Sequence, residues 1–166
     1  TVPRSFAQGA RGNQQAVAIT SHPIHHFDLH VTAQAVVLQA IDSRATTSTL
    51  LGKDGAPVSV EVGGCGPVVV LLHASVADLR MWNAQVDALV SRRTVVRCDL
   101  PGYGGTPVEP GADGCDAEDV LALLDELGVE GFACCGLSLG GRIGQWLGLH
   151  APRRVTALVL ANTSPR

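Results

Sequence analysis

Short apolar runs that alternate with stretches of helical periodicity constrain the fold of this chain more than any other feature. Val68 to Leu72 is an unbroken run of valine and leucine, which is typical of a strand buried on both faces of a parallel sheet. Thr94 to Cys98 and Val155 to Leu160 are two further strand candidates. Because helical patterns separate these strands, the sequence predicts right-handed βαβ units. The expected fold class is α/β, a mostly parallel sheet with helices on both faces.

The remaining elements follow from the same patterns and from turn residues. A two-stranded hairpin is predicted around the turn Lys53-Asp54-Gly55, and Gly131 to Cys135 is predicted as a short strand. Three helices are expected from the apolar spacing, and Gly128 would end the second of them. Their predicted ranges are Ala77 to Ser91, Asp116 to Leu127, and Ser138 to His150.

The first 46 residues differ in character from the rest of the chain. They contain a histidine-rich patch, and alternation from Phe27 to Ala35 predicts a strand. We interpret residues 1–46 as an extension of unknown role and residues 47–166 as the main domain. The chain starts at Thr1 rather than at a methionine and stops at Arg166 just after an apolar run, so we expect a fragment of a longer protein.

Composition excludes several classes of protein. The chain has 166 residues, 46% of them hydrophobic, which is enough for one domain with its own core. The formal net charge is −3 and the basic residues are scattered, so no nucleic-acid or acidic-membrane partner is expected. Five cysteines without a C-x-x-C spacing favour a reducing compartment. Without a run of roughly 18 apolar residues, the sequence predicts a soluble, cytoplasmic protein with a small neutral ligand.

The segment Cys135-Gly136-Leu137-Ser138-Leu139-Gly140-Gly141 carries the chemistry. A serine hydroxyl is a poor nucleophile unless a sharp turn presents it beside a base and beside amide donors. The glycines Gly136 and Gly140 leave room for such a turn, and a predicted strand and helix flank it. Ser138 is therefore the predicted nucleophile.

Several other segments accompany this one: Leu71-Leu72-His73, Arg80-Met81-Trp82, Asp99-x-x-Gly102-x-Gly104, Val120 to Gly128, Gly136 to Gly148, and Leu158 to Thr163. Together they resemble the α/β-hydrolase superfamily over Thr47 to Arg166. Within this superfamily, the nucleophile elbow, which is the turn from Gly136 to Gly140, and the helix and strand that follow it look most like those of 3-oxoadipate enol-lactonases. The loop after the predicted strand Val68 to Leu72 reads His-Ala-Ser, where the superfamily usually has His-Gly. The segment from Val108 to Asp116, before the second predicted helix, looks shortened.

The resemblance implies a serine hydrolase that acts on a carboxylic ester or a lactone. The oxyanion would be held by the backbone N–H groups of Leu139 and Ser75, with Ala74 as a nearby alternative to Ser75. We expect His73 to be a structural histidine that pins its loop, and Asp99 to be structural as well. Carbon–carbon bond hydrolysis and perhydrolysis remain open as alternatives, as does a catalytically inactive binding module.

In this family the acid and the histidine of the triad follow the serine in the chain. Residues 139–166 contain no aspartate, no glutamate and a single histidine, His150. That histidine lies twelve residues along the predicted helix, about 18 Å from Ser138, and cannot be the base. We therefore expect an incomplete α/β-hydrolase fold that lacks its C-terminal strands and cap and is inactive alone. The strand Val155 to Leu160 would then be an apolar edge prone to self-association.

Other candidate sites have weaker support in the sequence. The cluster from His22 to His30 has no spacing typical of a metal site, and we expect neither a metal nor a cofactor. Cys134 and Cys135 are expected to be packing residues of a buried strand. The glycine motifs do not match a dinucleotide fingerprint. A haloalkane dehalogenase would have a carboxylate at the position of Ser138.

Overall fold

The computed structural model describes residues 16–20, 46–52, 55–108 and 116–164 of the chain. Seven strands in these residues form one mixed sheet with the order β1-β7-β6-β4-β5-β3-β2. In chain order the strands are β1 (Ala16–Thr20), β2 (Thr46–Leu51), β3 (Pro57–Gly63), β4 (Val68–Leu72), β5 (Thr94–Cys98), β6 (Phe132–Leu137) and β7 (Val155–Ala161).

The four central strands of the sheet run parallel to one another. β4 lies between β5 and β6, so that Leu72 is opposite Cys98 on one side and Gly136 on the other. β6 pairs with β7 in the same direction, and the β2–β3 hairpin extends the sheet antiparallel beyond β5. The carboxyl ends of the central strands therefore meet at one edge, which is where open α/β sheets bind their ligands.

Three helices connect the strands: α1 (Asn83–Leu89), α2 (Asp116–Glu126) and α3 (Leu139–His150). A 3₁₀ turn, Leu79–Trp82, leads directly into α1. Within the described part of the chain, none of the helices has both the length and the apolar character needed to cross a bilayer.

Each face of the sheet has its own apolar cluster. Leu72 belongs to the larger cluster, where it packs with Leu124 of α2 and Leu147 of α3. Its neighbour Leu71 belongs to the smaller cluster, which includes Trp82 of the 3₁₀ turn. Successive residues of a strand point to opposite faces, so this division follows from the pleat of β4. Helices cover both faces, as the sequence predicts.

The α/β class with a parallel central sheet is confirmed, and so are the hairpin and the three helical regions. The first helix starts later than Ala77, the residue predicted from apolar spacing. Asp78 has an extended backbone and its carboxylate accepts a hydrogen bond from the Arg80 N–H at 2.9 Å, so it caps the 3₁₀ turn. An acidic residue that bonds to nearby backbone amides favours the start of a helix over its interior.

The amino-terminal extension contributes a strand to the sheet. β1 pairs antiparallel with the last five residues of β7, from Ala16 opposite Ala161 to Thr20 opposite Ala157. The expectation of an uncovered apolar edge at β7 is therefore wrong, because β1 takes up the edge hydrogen bonds. The predicted strand from Phe27 to Ala35 lies outside the described residues.

Replacement of Phe132 by alanine is expected to lower the free energy of unfolding by about 3–5 kcal/mol, because it leaves a cavity in the larger cluster. Phe132 is among the largest fully buried side chains of the described residues. Urea denaturation of the two proteins measures the change. Val76→Ala serves as the control, since Val76 is 94% exposed and should change stability by less than about 0.5 kcal/mol. Equal losses in both variants would contradict this account of the core.

Candidate active site

Ser138 occupies the sharp turn between β6 and α3. Its backbone has φ 51° and ψ −106°, a conformation that residues other than glycine rarely adopt. The turn is held on both sides, because the Ser138 N–H donates to the Ala161 carbonyl at 2.9 Å and the Ser138 carbonyl accepts from the Arg142 N–H at 3.0 Å. The hydroxyl does not cap the amides of α3. It is therefore presented, half-buried, at the carboxyl edge of the sheet.

Two glycines allow the turn to pack against its neighbours. A Cβ atom on Gly136 would collide with the carbonyl oxygen of Gly140. A Cβ atom on Gly140 would in turn collide with the carbonyl oxygen of Leu72, at the end of β4. Both obstacles are backbone atoms, which cannot rotate away, so larger residues at these positions would force α3 away from the sheet. The predicted elbow glycines thus have the steric reason that the motif requires.

The loop after β4 is anchored by His73, which is fully buried. Its Nε2 accepts a hydrogen bond from the Leu100 N–H at 2.9 Å, so the ring proton lies on Nδ1, which donates to the Ala74 carbonyl at 2.8 Å. The His73 carbonyl accepts from the Gly140 N–H at 3.0 Å. Since both ring nitrogens are engaged within the loop and its neighbour, His73 has the structural role that the sequence predicts.

Ser75 and Val76 lie at the exposed corners of a tight turn in this loop. The turn is closed by a 3.0 Å hydrogen bond from the Ala77 N–H to the Ala74 carbonyl. Within the residues that the structure describes, the backbone N–H groups of Ser75 and Leu139 have no acceptor. The bond between His73 and Gly140 places this turn beside the start of α3. Both predicted oxyanion amides are therefore free and lie on adjoining segments at the edge that presents Ser138.

None of the described acid or imidazole groups hydrogen-bonds to the Ser138 hydroxyl. His150 lies in the last turn of α3, at the far end from Ser138, where its ring stacks on Trp146 with 4.0 Å between centroids. The buried carboxylate of Asp99 accepts from the backbone N–H groups of Leu79 and Gly105, both at 2.8 Å. Asp99 thus links two loops, which agrees with the structural role expected for it.

The thiols of β5 and β6 do not offer an alternative nucleophile. Burial raises the pKa of Cys98 and of Cys134 to about 12. Burial also raises the pKa of Cys135. These thiols stay protonated at neutral pH, and a protonated thiol is a weak nucleophile. The histidine cluster from His22 to His30 lies outside the described residues.

Two features of the site were missed by sequence reasoning. Asn162, next to the carbonyl that holds Ser138, has φ 50°, and Ser138 is the only other described non-glycine residue with positive φ. The sequence signal for Asn162 is its position just after a strand, because asparagine tolerates this backbone conformation better than most residues.

Arg97 is the second feature. It is the one charged residue in the otherwise apolar run of β5, which signals a buried charge with partners elsewhere in the chain.

Comparison with known proteins agrees with this geometry. A family model for the alpha/beta hydrolase fold matches residues 67–166. The chain belongs to this family.

Individual α/β hydrolases show the same relationship. The chain is 34% identical to 3-oxoadipate enol-lactonase 2 of Acinetobacter baylyi over 146 residues, which cover 87% of this chain and 48% of that protein. It is 35% identical to a fluoroacetate dehalogenase of Burkholderia sp over 115 residues, 65% of this chain and 38% of that protein. A hydrolase structure from Pseudomonas aeruginosa superposes with a TM-score of 0.66 and 44% identity, covering 72% of this chain and 46% of that one.

The chain therefore spans less than half the length of these three relatives. Its resemblance to the enol-lactonases, expected from the elbow and the strand that follows, is confirmed. The named activities of the relatives differ, so the comparisons establish the α/β-hydrolase family and leave the activity and the substrate to be argued separately.

Ser138→Gly is expected to raise the free energy of unfolding of this α/β hydrolase chain by about 1 kcal/mol. A non-glycine residue in a sparsely populated backbone conformation costs about 1–3 kcal/mol, and the backbone entropy of glycine offsets about 0.5–1 kcal/mol of the gain. Ser138→Ala is the matched control, because it removes the hydroxyl but keeps the Cβ atom that causes the strain. Urea denaturation compares the three proteins. A glycine variant no more stable than the alanine variant would show that the turn is not strained.

Proposed function

We propose that this chain is the nucleophile-bearing part of a serine hydrolase that cleaves a carboxylic ester or a lactone. The observation that carries the proposal is the strained presentation of Ser138, whose hydroxyl is left free of the helix amides at the carboxyl edge of the sheet. A turn that costs stability and leaves the hydroxyl free is typical of a site selected for reaction rather than for folding.

In the proposed reaction the Ser138 oxygen attacks the substrate carbonyl carbon as the serine proton passes to a histidine base. The electron pair of the carbonyl moves to its oxygen, which the N–H groups of Leu139 and Ser75 then hold. Collapse of this intermediate breaks the bond to the alcohol or enol oxygen, which takes the proton, and leaves an acyl-serine. Water, activated by the same histidine, releases the carboxylic acid and restores Ser138.

The histidine and its acidic partner are proposed to come from residues outside those described here. The described histidines, His73 and His150, are engaged elsewhere. In the family's chain order the acid and the histidine follow the serine, and this chain spans only 48% of the length of the first enol-lactonase. Residues 1–166 alone are therefore expected to have the nucleophile and the oxyanion amides without general-base catalysis, and to be inactive or nearly so.

The substrate class is proposed from the relatives together with the chemistry of Ser138. The two enol-lactonases of Acinetobacter baylyi match at 34% and 32% identity, and methyl ester esterases named for pimeloyl-[acyl-carrier protein] also match. All of these names describe attack at the carbonyl of an ester or lactone. A serine at position 138 suits this chemistry, because its acyl ester can be hydrolysed in a second step.

A fluorophosphonate probe tests the proposal on the longer polypeptide that contains this chain. Ser138 is expected to be labelled there, and Ser138→Ala to abolish labelling, because the probe reacts with an activated serine. Ser91→Ala is the matched control, since Ser91 is an exposed serine outside the site, and labelling should be unchanged. The 166-residue chain should be labelled weakly or not at all. Absence of labelling at Ser138 in the longer polypeptide would contradict the proposal and favour a non-catalytic module.

A substrate panel separates the reaction types that share this fold. We expect the longer polypeptide to hydrolyse enol-lactones or simple esters with a kcat/KM at least about 100-fold above that for β-diketones. This ratio corresponds to a difference of about 2.7 kcal/mol in the free energy of transition-state binding. Release of acid measured at constant pH reports all three substrates. Preferential cleavage of β-diketones would instead identify a carbon–carbon bond hydrolase.

A further inference from the structure

Arg97 is a buried cation inside the sheet, on strand β5. The residue is 6% exposed and lies between Val96 and Cys98, which are both buried in the larger apolar cluster. Because side chains alternate along a strand, Arg97 points to the opposite face, the one covered by the 3₁₀ turn and α1. A charge in such a place is stable only with several partners.

The guanidinium of Arg97 joins three separate segments. Its Nε and one terminal nitrogen donate to the same oxygen of Glu61 on β3, at 3.0 and 2.5 Å. The other terminal nitrogen donates to the Leu79 carbonyl at 2.9 Å and to the Asn83 side-chain oxygen at 2.6 Å. Arg97 thus ties the 3₁₀ turn and the start of α1 to the antiparallel side of the sheet.

The side chains of Arg97 and Asp99 both hydrogen-bond to the backbone of Leu79. Arg97 lies on β5, and Asp99 follows directly after the end of this strand. Arg97 binds the Leu79 carbonyl, while Asp99 accepts the Leu79 N–H at 2.8 Å. Because side chains at the end of β5 and just after it hold both backbone polar groups of Leu79, the position of Leu79 relative to the sheet is fixed.

Leu79 is the distal end of the loop that carries the Ser75 amide. The proximal end is fixed at His73, through its bonds with Leu100 and Gly140. Between these two anchors lies the tight turn from Ala74 to Ala77, whose exposed corners have few contacts of their own. The orientation of the Ser75 N–H therefore depends on the two anchors more than on the turn itself.

We propose that Arg97, held by Glu61, is a positioning residue for the oxyanion loop: it fixes the end of the loop at Leu79 so that the Ser75 N–H points at the developing oxyanion. The proposal rests on the proposed function. Arg97 makes no contact with the substrate and acts only through the loop.

Stability alone does not require an arginine at this position. Replacement of both partners of a buried ion pair by apolar residues of similar volume is often neutral or stabilising, whereas removal of one partner alone is destabilising, because the other charge stays buried. A methionine would fill the space of the Arg97 side chain without its bonds, and a lysine would keep the charge but lose the planar fork that reaches Glu61, Leu79 and Asn83 together. Activity is therefore expected to fall in both variants, whether or not stability does.

The test measures kcat and KM of the longer polypeptide with an ester substrate, and the inhibition constant of a trifluoromethyl ketone that forms a tetrahedral adduct with serine. Arg97→Met and Arg97→Lys are expected to lower kcat roughly 10- to 100-fold and to leave KM within about twofold, because an oxyanion donor acts in the transition state. Affinity for the ketone should fall in parallel with kcat/KM. Glu61→Gln, a milder change, should lower kcat severalfold.

Arg154→Met is the matched control. Arg154 also pairs with a carboxylate, Asp125, and donates to a backbone carbonyl, that of Val129, but it lies at the start of β7, away from the site. Its replacement should leave kcat within about twofold. Unchanged kcat in the Arg97 variants, a rise in KM without loss of kcat, or an equal loss in Arg154→Met would overturn the proposal.

A second measurement on the 166-residue chain separates this proposal from the proposed function. Hydrogen exchange at the hydrogen-bonded amides of Ala77 and Leu79 should be about tenfold faster in Arg97→Met than in the unmodified chain, and unchanged in Arg154→Met. If the longer polypeptide is inactive but exchange responds in this way, the proposed function fails and the loop anchor stands. Unchanged exchange in Arg97→Met would overturn the anchor, whatever the activity of the longer polypeptide.

Discussion

The rest of the site depends on the close approach of α3 to the carboxyl end of β4. At Gly140 the helix backbone touches the Leu72 carbonyl so closely that no side chain fits, and the Gly140 N–H donates to the His73 carbonyl at 3.0 Å. This contact joins the nucleophile turn to the loop after β4. Without it, the free amides of Leu139 and Ser75 would not share one edge of the sheet with the Ser138 hydroxyl.

The tight contact also explains how a strained turn persists in a small protein. Ser138 is held by the Ala161 carbonyl on the adjacent strand and by the Arg142 N–H in the first turn of α3. Extended packing on both faces of the sheet stabilises the fold and offsets the free-energy cost of the strained turn. A rigid scaffold with one strained residue is the general arrangement of sites that must be ready to react before the substrate arrives.

Much of the fold could be predicted because its signals are local. The apolar run of β4, the turn glycines and the helical spacing of α3 each fix an element within about 15 residues of chain, so that Ser138 could be placed on its turn from sequence alone. The missed features depend on contacts that are distant in the chain. β6 extends to Leu137 because it pairs with Ala161 of β7, and Arg97 meets Glu61 across 36 residues. Periodicity carries no information on such pairs.

We propose that Ser138 and two backbone amides of this chain form one catalytic unit. A crystal structure of the longer polypeptide with Ser138 phosphonylated tests it most directly, because the phosphoryl oxygen occupies the position of the oxyanion. We expect this oxygen to lie about 2.7–3.1 Å from the backbone nitrogens of both Ser75 and Leu139. An oxygen that faces solvent, or that is bound by donors other than these two amides, would contradict it.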